Sequence, residues 1–172
     1  MKAIDNIGRE LEAARDIAEV ARIVRVSARA VTGAQGATFV VREDGTCFYV
    51  DEDAIAPLWK GQRFPMTACI SGWAMLHDDI AVIPDIETDP RIPLAAYRTT
   101  FVRSLVMAPV GSPAPVAAIG AYWSVARRPP SAAVDRLREL AAAAGKAIER
   151  VGLADAPWAP NFADQAARST AS

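Results

Sequence analysis

The chain has 172 residues, 52% of them hydrophobic and 23% charged, and a net charge of −1. This length and composition predict one globular domain and exclude a disordered chain. The 19 basic and 20 acidic residues balance, and the basic ones are scattered, which argues against nucleic-acid binding. No apolar run is long enough to cross a bilayer, and charged residues interrupt the N-terminus where a signal peptide would be apolar. We therefore expect a cytoplasmic protein that does not engage a membrane.

The first predicted element is one long helix over residues 4–31, which carries two apolar stripes. The first stripe holds Ile4, Ile7, Leu11, Ala14, Ala18 and Ala21, and the second holds Ile17, Val20, Val24 and Val31. Gly33 is placed to end the helix. A helix with two apolar faces usually packs on its own domain with one and on a partner with the other.

The apolar period then changes to that of strands. Residues 37–42 and 46–50 are rich in β-branched and aromatic side chains, and the Asp-Gly between them predicts a hairpin. The remaining predictions, in order, are a strand at 62–66, a helix at 71–77, a strand at 80–84, a proline-rich loop at 85–93, a helix at 94–101 and strands at 104–110 and 117–126.

The last predicted helix starts with Ser131 as its cap and reaches about Val151. Residues 1–152 are predicted to form the domain. Residues 153–172 are predicted to be a mostly disordered tail, in which Trp158 and Phe162 could dock. The fold class that follows is α+β: a central antiparallel sheet with the N- and C-terminal helices on one side and irregular helices and loops over the other.

A series of motifs in the middle of the chain resembles the GAF domains of bacterial sensor histidine kinases and phytochrome-like proteins. The motifs are residues 59–65, 69–77, 83–86, 89–93, 97–98, 101–105 and 119–123. The resemblance covers about residues 5–151. It implies a sheet of five or six strands, a ligand pocket under the irregular middle, dimers through the terminal helices and a role in signal transduction. A histidine kinase or another signalling protein is the partner that it implies.

Residues of the irregular middle and the neighbouring strands are the candidates for lining that pocket. They are Phe64, Cys69, Trp73, Ile83, Asp85, Tyr97, Phe101, Ser104 and Trp123. Tyr97 and Ser104 offer polar tips to a ligand. For Trp123, simple core packing is an equally good interpretation.

The terminal helices are the candidates for a homodimer interface. The seam consists of Ile7 and Leu11 from the first helix and Val134, Leu137, Ala141, Ala144 and Ile148 from the last. One sheet face should not cover all of this apolar surface, and a monomer would leave it exposed. The alternative is that both helices lie on the same sheet face and bury their stripes there.

The chain lacks residues on which the ligand binding or catalysis of several relatives depends. Residues 94–101 lack the cysteine that covalent bilin binding would need, and the signature of cyclic-nucleotide GAF domains is absent. Relatives that reduce free methionine sulfoxide would place their nucleophile near residues 95–97, where this chain has no thiol. We therefore expect no enzyme and no cofactor, but a sensory domain that binds a small molecule. The alternatives are a ligand-free structural dimerisation module and, more distantly, a redox enzyme of the methionine sulfoxide reductase type using Cys69.

No metal site is predicted. The chain has only two cysteines, Cys47 and Cys69, and they are far apart in the sequence. Cys47 is interpreted as a buried, inert thiol, and Cys69, near the start of a helix, is a candidate for a reactive thiol. Asp85, Glu87 and Asp89 begin like a calcium loop, but the glycine and the final glutamate of such a loop are missing. His77, the single histidine, suits a surface position at the end of a helix.

Overall fold

The computed structural model describes residues 4–154 and 156–158. The helices are α1 (Ile4–Ala13), α2 (Ile17–Thr32), α3 (Ile70–His77), α4 (Leu94–Tyr97) and α5 (Ser131–Val151). The strands are β1 (Gly36–Glu43), β2 (Thr46–Ala54), β3 (Arg63–Pro65), β4 (Ala81–Ile83), β5 (Ser104–Val110) and β6 (Ala117–Trp123). A 3-10 turn at Met66–Ala68 joins β3 to α3. The predicted α+β class is confirmed.

All six strands form one antiparallel sheet in the order β3-β2-β1-β6-β5-β4. The predicted hairpin is present: Glu43 pairs with Thr46 across the Asp-Gly turn, and Asp44 has a φ of 51° in the left-handed region. β2 continues past its predicted end to Ala54. Because β2 is long, its second half lies next to residues 55–62, which cover one face of the sheet.

The sheet has two buried faces, which we call the helix face and the pocket face. On the helix face, α2 and α5 pack on the strands and α1 packs on those two helices. The pocket face is covered by α3, α4 and the segments around them. Strand residues alternate between the faces, as the two-residue period of a strand requires. Val106, Ala108, Ile119 and Ala121 point to the helix face, whereas Leu105, Met107, Ala118 and Tyr122 point to the pocket face.

The single helix predicted over residues 4–31 is wrong, because the chain breaks between Ala13 and Ile17. The Asp16 carboxylate accepts a hydrogen bond from the Glu19 amide at 2.9 Å. The Glu19 carboxylate in turn accepts one from the Arg15 amide at 2.8 Å. This reciprocal capping starts a new helix at Ile17. It lets α1 turn away from the line of α2 and pack on α5.

The terminal helices bury their apolar stripes within the monomer, so the premise of the predicted dimer seam is wrong. The proposed interface residues are all inside the helix-face core or packed against it: Ile7, Leu11, Leu137, Ala141, Ala144 and Ile148 are buried and Val134 is half-buried. Leu137 and Ala144 have no exposed surface at all. The alternative arrangement, with both stripes used inside one chain, is the one observed.

Other boundaries differ less from the predictions. Ser131 is the first residue of α5 rather than its cap, and Pro130 precedes it without a side-chain hydrogen bond. α4 is one turn long and ends at Tyr97. In the predicted tail, Leu153 and Trp158 pack against the helix-face core and Ala156 is buried there. Residue 155 and residues 159–172, including Phe162, lie outside the described part of the chain. None of the described helices is long and apolar enough to span a membrane.

Candidate functional site

Five aromatic rings meet on the pocket face and form what we call the aromatic cluster: Tyr49, Trp59, Phe64, Tyr97 and Tyr122. Trp59 lies at the centre, with ring centroids 4.6 Å from Tyr97, 5.4 Å from Tyr122 and 5.7 Å from Tyr49. Tyr49 also meets the Phe64 ring edge-on at 5.5 Å. Such tilted and edge-on pairs are the favourable geometry for aromatic rings. The cluster therefore joins the sheet to the segments that cover it.

Trp59 belongs to residues 55–62, which we call the covering segment. The Glu52 carboxylate on β2 accepts hydrogen bonds from the amides of Leu58, Trp59 and Lys60, at 2.8, 3.0 and 2.7 Å. The Trp59 indole N–H donates to the Ala96 carbonyl at 3.0 Å. One carboxylate and one indole thus hold the covering segment against β2 and α4.

A narrow cavity opens between the aromatic cluster, β3 and α4. Its lining consists of Tyr49, Trp59, Phe64, Cys69, Pro93, Ala96 and Tyr97, with no charged residue among them. The cavity volume is about 10 Å³, which is about the space that one water molecule requires. An organic molecule can enter only if the covering segment or α4 moves.

Three tyrosine side chains are buried here, and their hydroxyls differ in their partners. Tyr49 shares a hydrogen bond with the Ser71 hydroxyl at 3.0 Å, and Tyr122 shares one with the Thr38 hydroxyl at 2.8 Å. The Tyr97 side chain is only 3% exposed, and its hydroxyl has no such partner among the described residues. Burial raises the pKa of Tyr49, Tyr97 and Tyr122 above the usual value of a phenol. All three are therefore neutral phenols at physiological pH.

Beside the cavity, three sulfur atoms converge in what we call the sulfur cluster: Cys47, Met66 and Cys69. The Cys47 thiol donates to the Met66 thioether at 3.2 Å, and the thiols of Cys47 and Cys69 contact each other. The Ser71 hydroxyl donates to the Cys69 sulfur at 3.4 Å. Cys47 is fully buried, whereas Met66 and Cys69 are 5% and 6% exposed. The two cysteines, far apart in the sequence, are thus neighbours in the fold.

The contact between the two thiols separates their acidities. A hydrogen bond from Cys47, with further ones from Ser71 and the Gly72 amide, lowers the pKa of Cys69 to about 6. The same contact, together with burial, raises the pKa of Cys47 far above that of a free thiol. The pair therefore gives up one proton readily and holds the second.

Only part of the predicted pocket lining is brought together. Phe64, Cys69 and Tyr97 line the cavity. Ile83 is fully buried in the pocket-face core and Phe101 packs against that core, so neither lines the cavity.

Two predicted lining residues lie on the other side of the sheet. Ser104 and Trp123 are paired on β5 and β6, and Trp123 packs against the helix-face core. The Ser104 hydroxyl donates to the Val125 carbonyl at 2.8 Å and is thus already satisfied. Their predicted position at the pocket is wrong. Each is the immediate neighbour, along its strand, of a residue whose side chain points to the pocket face, so its own side chain points to the helix face.

Two further predicted residues, Trp73 and Asp85, are half-buried and do not line the cavity, although Trp73 packs against the pocket-face core. Trp73 stacks on the exposed His77 ring with centroids 4.6 Å apart, and the Arg91 guanidinium lies 4.3 Å from its ring centroid. Asp85 accepts from the Glu87 amide at 2.9 Å within a turn. His77 Nδ1 is 2.9 Å from the Trp73 carbonyl oxygen at the end of α3.

Sequence reasoning missed Tyr49, Trp59, Pro93 and Ala96 as lining residues. Tyr49 could have been found, because it follows Cys47 by two positions on β2 and so shares its face. Trp59 gave no periodic signal, since it lies in a segment without regular structure.

The comparisons with known proteins agree on the fold. A family model described as GAF domain matches residues 14–149. The free methionine-R-sulfoxide reductase of Neisseria meningitidis is similar in structure, with a TM-score of 0.72, 18% identity and coverage of 85% of this chain and 86% of that one. The GAF domain of an Acinetobacter phosphoenolpyruvate-protein phosphotransferase has a TM-score of 0.74, 13% identity and coverage of 88% and 95%.

A third similar structure comprises residues 122 to 287 of a methyl-accepting chemotaxis protein, with a TM-score of 0.72, 20% identity and coverage of 87% of this chain and 99% of that one. No curated protein matches the sequence. At these identities the structures establish the fold alone. The family match, however, spans most of the chain. The protein therefore belongs to the GAF domain family.

Proposed function

We propose that this GAF domain is a non-catalytic sensory module that binds a small neutral aromatic molecule on its pocket face. Membership of the GAF family supports a regulatory role. So does the structural likeness to part of a chemotaxis protein. One similar structure is a methionine sulfoxide reductase, but residues 94–101 of this chain contain no cysteine to act as nucleophile.

The observation that carries the proposal is the Tyr97 hydroxyl beside the cavity, which has no hydrogen-bond partner among the described residues and keeps some accessible surface. In a mostly apolar pocket, a few such polar groups fix the orientation of a bound molecule. Tyr49 and Tyr122, its neighbours in the aromatic cluster, both have hydroxyl partners in the protein. Tyr97 is thus the group left to engage a ligand.

The lining defines the ligand class. It offers ring faces, a thiol and two phenols, of which only that of Tyr97 lacks a protein partner, and no basic or acidic side chain that would pair with a charged ligand. A planar, uncharged molecule with one hydrogen-bonding group matches these features. Because the cavity holds about one water, such a ligand would take the place of the Trp59 ring as the covering segment moves outward.

The route from the pocket to the helices runs through β2. The Asp51 carboxylate lies 3.0 Å from the Lys60 ammonium of the covering segment and 3.1 Å from the Arg25 guanidinium of α2. Asp53 and Arg29 form a second ion pair between β2 and α2, at 3.2 Å. Displacing the covering segment would therefore change the contacts of α2 and bias its packing against α5.

A thermal-shift screen with indole, 2-naphthol and uncharged purines tests the proposal. A ligand at one hundred times its dissociation constant adds about 2.7 kcal/mol of stability. Tyr97→Phe should weaken its binding by about 3- to 10-fold, the value of one hydrogen bond. Ser104→Ala, on the helix face, is the control and should bind normally. Failure of every compound to stabilise the protein, or equal binding by Tyr97→Phe, would contradict the proposal and favour a ligand-free structural module.

Homodimerisation remains part of the proposal, but on a different surface from the predicted seam. A groove of about 450 Å³ runs between α1 and α5. It is floored by small residues such as Gly8, Ala142 and Ala143 and edged by charges of both signs. A second copy related by a two-fold axis could match acidic to basic residues across it. Light scattering coupled to gel filtration should give a dimer mass that Ala143→Arg reduces to a monomer. A monomer mass for the wild type would exclude the dimer.

A further inference from the structure

The sulfur cluster joins three sulfur donors that lie on separate elements of the fold. Cys47 is on β2, Met66 starts the 3-10 turn and Cys69 precedes α3. The Cys47 and Met66 sulfurs are 3.2 Å apart, and the two thiols are in contact. Gly72 makes this approach possible, because a Cβ at that position would collide with the Met66 carbonyl.

The donor set selects a class of ion. Two thiols and a thioether are soft ligands, and such ligands favour Cu(I) or zinc over magnesium or calcium. A thioether is not among the usual ligands of zinc. Among the described residues, no group of three or more histidine, cysteine, aspartate or glutamate side chains could hold a metal ion. Zinc prefers four nitrogen, oxygen or thiolate donors, which the surroundings of the sulfur cluster do not supply.

We propose that Cys47, Met66 and Cys69 bind one Cu(I) ion. The site goes beyond the proposed organic ligand and does not depend on it. The two thiols lose their protons to solvent as the ion binds, so a monovalent cation replaces two protons and one negative charge remains.

The groups around Cys69 are placed to stabilise that remaining charge. The Ser71 hydroxyl donates to the Cys69 sulfur at 3.4 Å, and the Gly72 amide at the start of α3 also points to it. The Tyr49 hydroxyl, 3.0 Å from Ser71, extends this arrangement by one hydrogen bond. Hydrogen bonds of this kind fix a ligand's orientation and tune the metal.

The site is reachable for an ion although it is closed to larger molecules. Cys69 lines the cavity beside the aromatic cluster, and the cavity has room for a particle the size of a water molecule. Copper bound there would contact the same wall as an organic ligand. The ion would reach Cys69 first and then Cys47 and Met66 behind it.

Anaerobic titration of the full chain with Cu(I), in competition with the chelator bathocuproine disulfonate, tests the proposal. We expect one ion per chain, an ultraviolet thiolate-to-copper charge-transfer band and a sulfur-only first shell in X-ray absorption. Ser71→Ala should weaken binding by about 10- to 100-fold, as is typical when a group that hydrogen-bonds a metal ligand is removed. Cys47→Ser and Cys69→Ser should each weaken it further.

Met66→Leu is the sharpest variant, because it removes only the sulfur and preserves the apolar volume, so folding is not at issue. It should reduce the copper affinity and lower the sulfur count of the first shell from three to two. Met75→Leu, in the same core but outside the sulfur cluster, is the matched control and should bind as the wild type does. Tyr97→Phe should also bind copper normally, which separates this site from the organic pocket.

Three results would overturn the proposal. One is a chain that yields all its copper to the chelator. Another is unchanged copper binding by the Cys47→Ser/Cys69→Ser double variant. The third is a chain that binds no Cu(I) but, when given two equivalents of Cu(II) without oxygen, loses two hydrogens in mass as a Cys47–Cys69 disulfide forms and both Cu(II) ions are reduced to Cu(I), because this would identify the pair as a redox couple rather than a metal site.

Discussion

The two faces of the sheet are packed with different kinds of side chains. The helix face is filled with alanine, valine, leucine and isoleucine, and among the described residues Phe39 is its one fully buried aromatic side chain. The pocket face holds the aromatic cluster, the sulfur cluster and three buried tyrosine side chains. Neighbouring residues on the same strand serve both faces, so the difference arises from the side chains rather than from the backbone.

This difference indicates a division of labour. Aliphatic side chains that interlock between helices and sheet give stability without polar groups to satisfy. Aromatic and sulfur-containing side chains are adaptable or carry a polar tip, and they suit surfaces that must accept a ligand. The covering segment is held by hydrogen bonds to the Glu52 carboxylate and from the Trp59 indole N–H, whereas α5 is held by the packing of a continuous apolar stripe.

The largest expected effect is on the helix face. Leu137 has no exposed surface and lies where α5 meets the core, so Leu137→Ala should lower the free energy of unfolding by about 2–5 kcal/mol. Urea denaturation measures this. Asp135→Ala, on the exposed side of α5 and outside the groove between α1 and α5, is the control and should change the value by less than about 0.5 kcal/mol. Equal effects of the two variants would contradict the assignment of α5 to the core.

The next effect concerns the covering segment. Glu52→Gln should lower the free energy of unfolding by about 1–2 kcal/mol, because the amide has only one oxygen to accept hydrogen bonds from the three backbone amides. Glu43→Gln breaks the surface ion pair with Arg63, at 2.9 Å, and should cost less than about 1 kcal/mol. If the two substitutions proved equivalent in urea denaturation, Glu52 would not be the anchor of the segment.

A pair of tyrosines provides the sharpest comparison within the pocket face. Tyr49→Phe breaks the hydrogen bond with Ser71 and should lower stability by about 1 kcal/mol. Tyr97→Phe removes a hydroxyl without a protein partner, so it should leave stability unchanged or slightly raise it. Thermal and urea unfolding of both variants can be compared directly. A loss for Tyr97→Phe as large as that for Tyr49→Phe would show that its hydroxyl is already satisfied.

The smallest effect is a pH dependence at the surface beside Trp73. The Arg91 guanidinium lowers the pKa of Asp89, so this ion pair contributes stability above the unfolded-state pKa and loses it as the pH falls through the folded-state pKa. Asp89→Asn should thus be less stable than the wild type at pH 7 by about 0.5 kcal/mol. The difference should vanish at pH values below the folded-state pKa of Asp89. A difference that persists there would have another cause.

The sequence predicts the frame of the molecule better than the pocket. Local patterns predict the hairpin at Asp44, the succession of strands along the chain and, to within one residue, the start of α5. The break before Ile17 was also readable, since Asp16 and Glu19 have the spacing of a capping pair. The premise of the predicted dimer seam is wrong for a simple reason. An apolar stripe predicts that a helix face is buried, but not whether the same chain or a second copy buries it.

The pocket depends on contacts between segments that no local pattern records. Cys47 and Cys69 are separated by 21 intervening residues and meet only because β2 pairs with β3 and the 3-10 turn folds back. The sequence places Ser104 and Trp123 at the pocket because the one has a polar tip, the other is aromatic, and both belong to the motifs. The face that a strand residue occupies changes with every step, and only the register decides it.

Hydrogen exchange of the wild-type chain tests the division of labour between the two faces most directly. The amides of Leu58, Trp59 and Lys60, in the covering segment, should exchange through local opening, at a free energy well below that of global unfolding. The amides in the middle of α2 and α5 should exchange only when the whole domain unfolds. If the covering segment were as strongly protected as α5, the pocket face would be a closed core, and the sensory account would be contradicted.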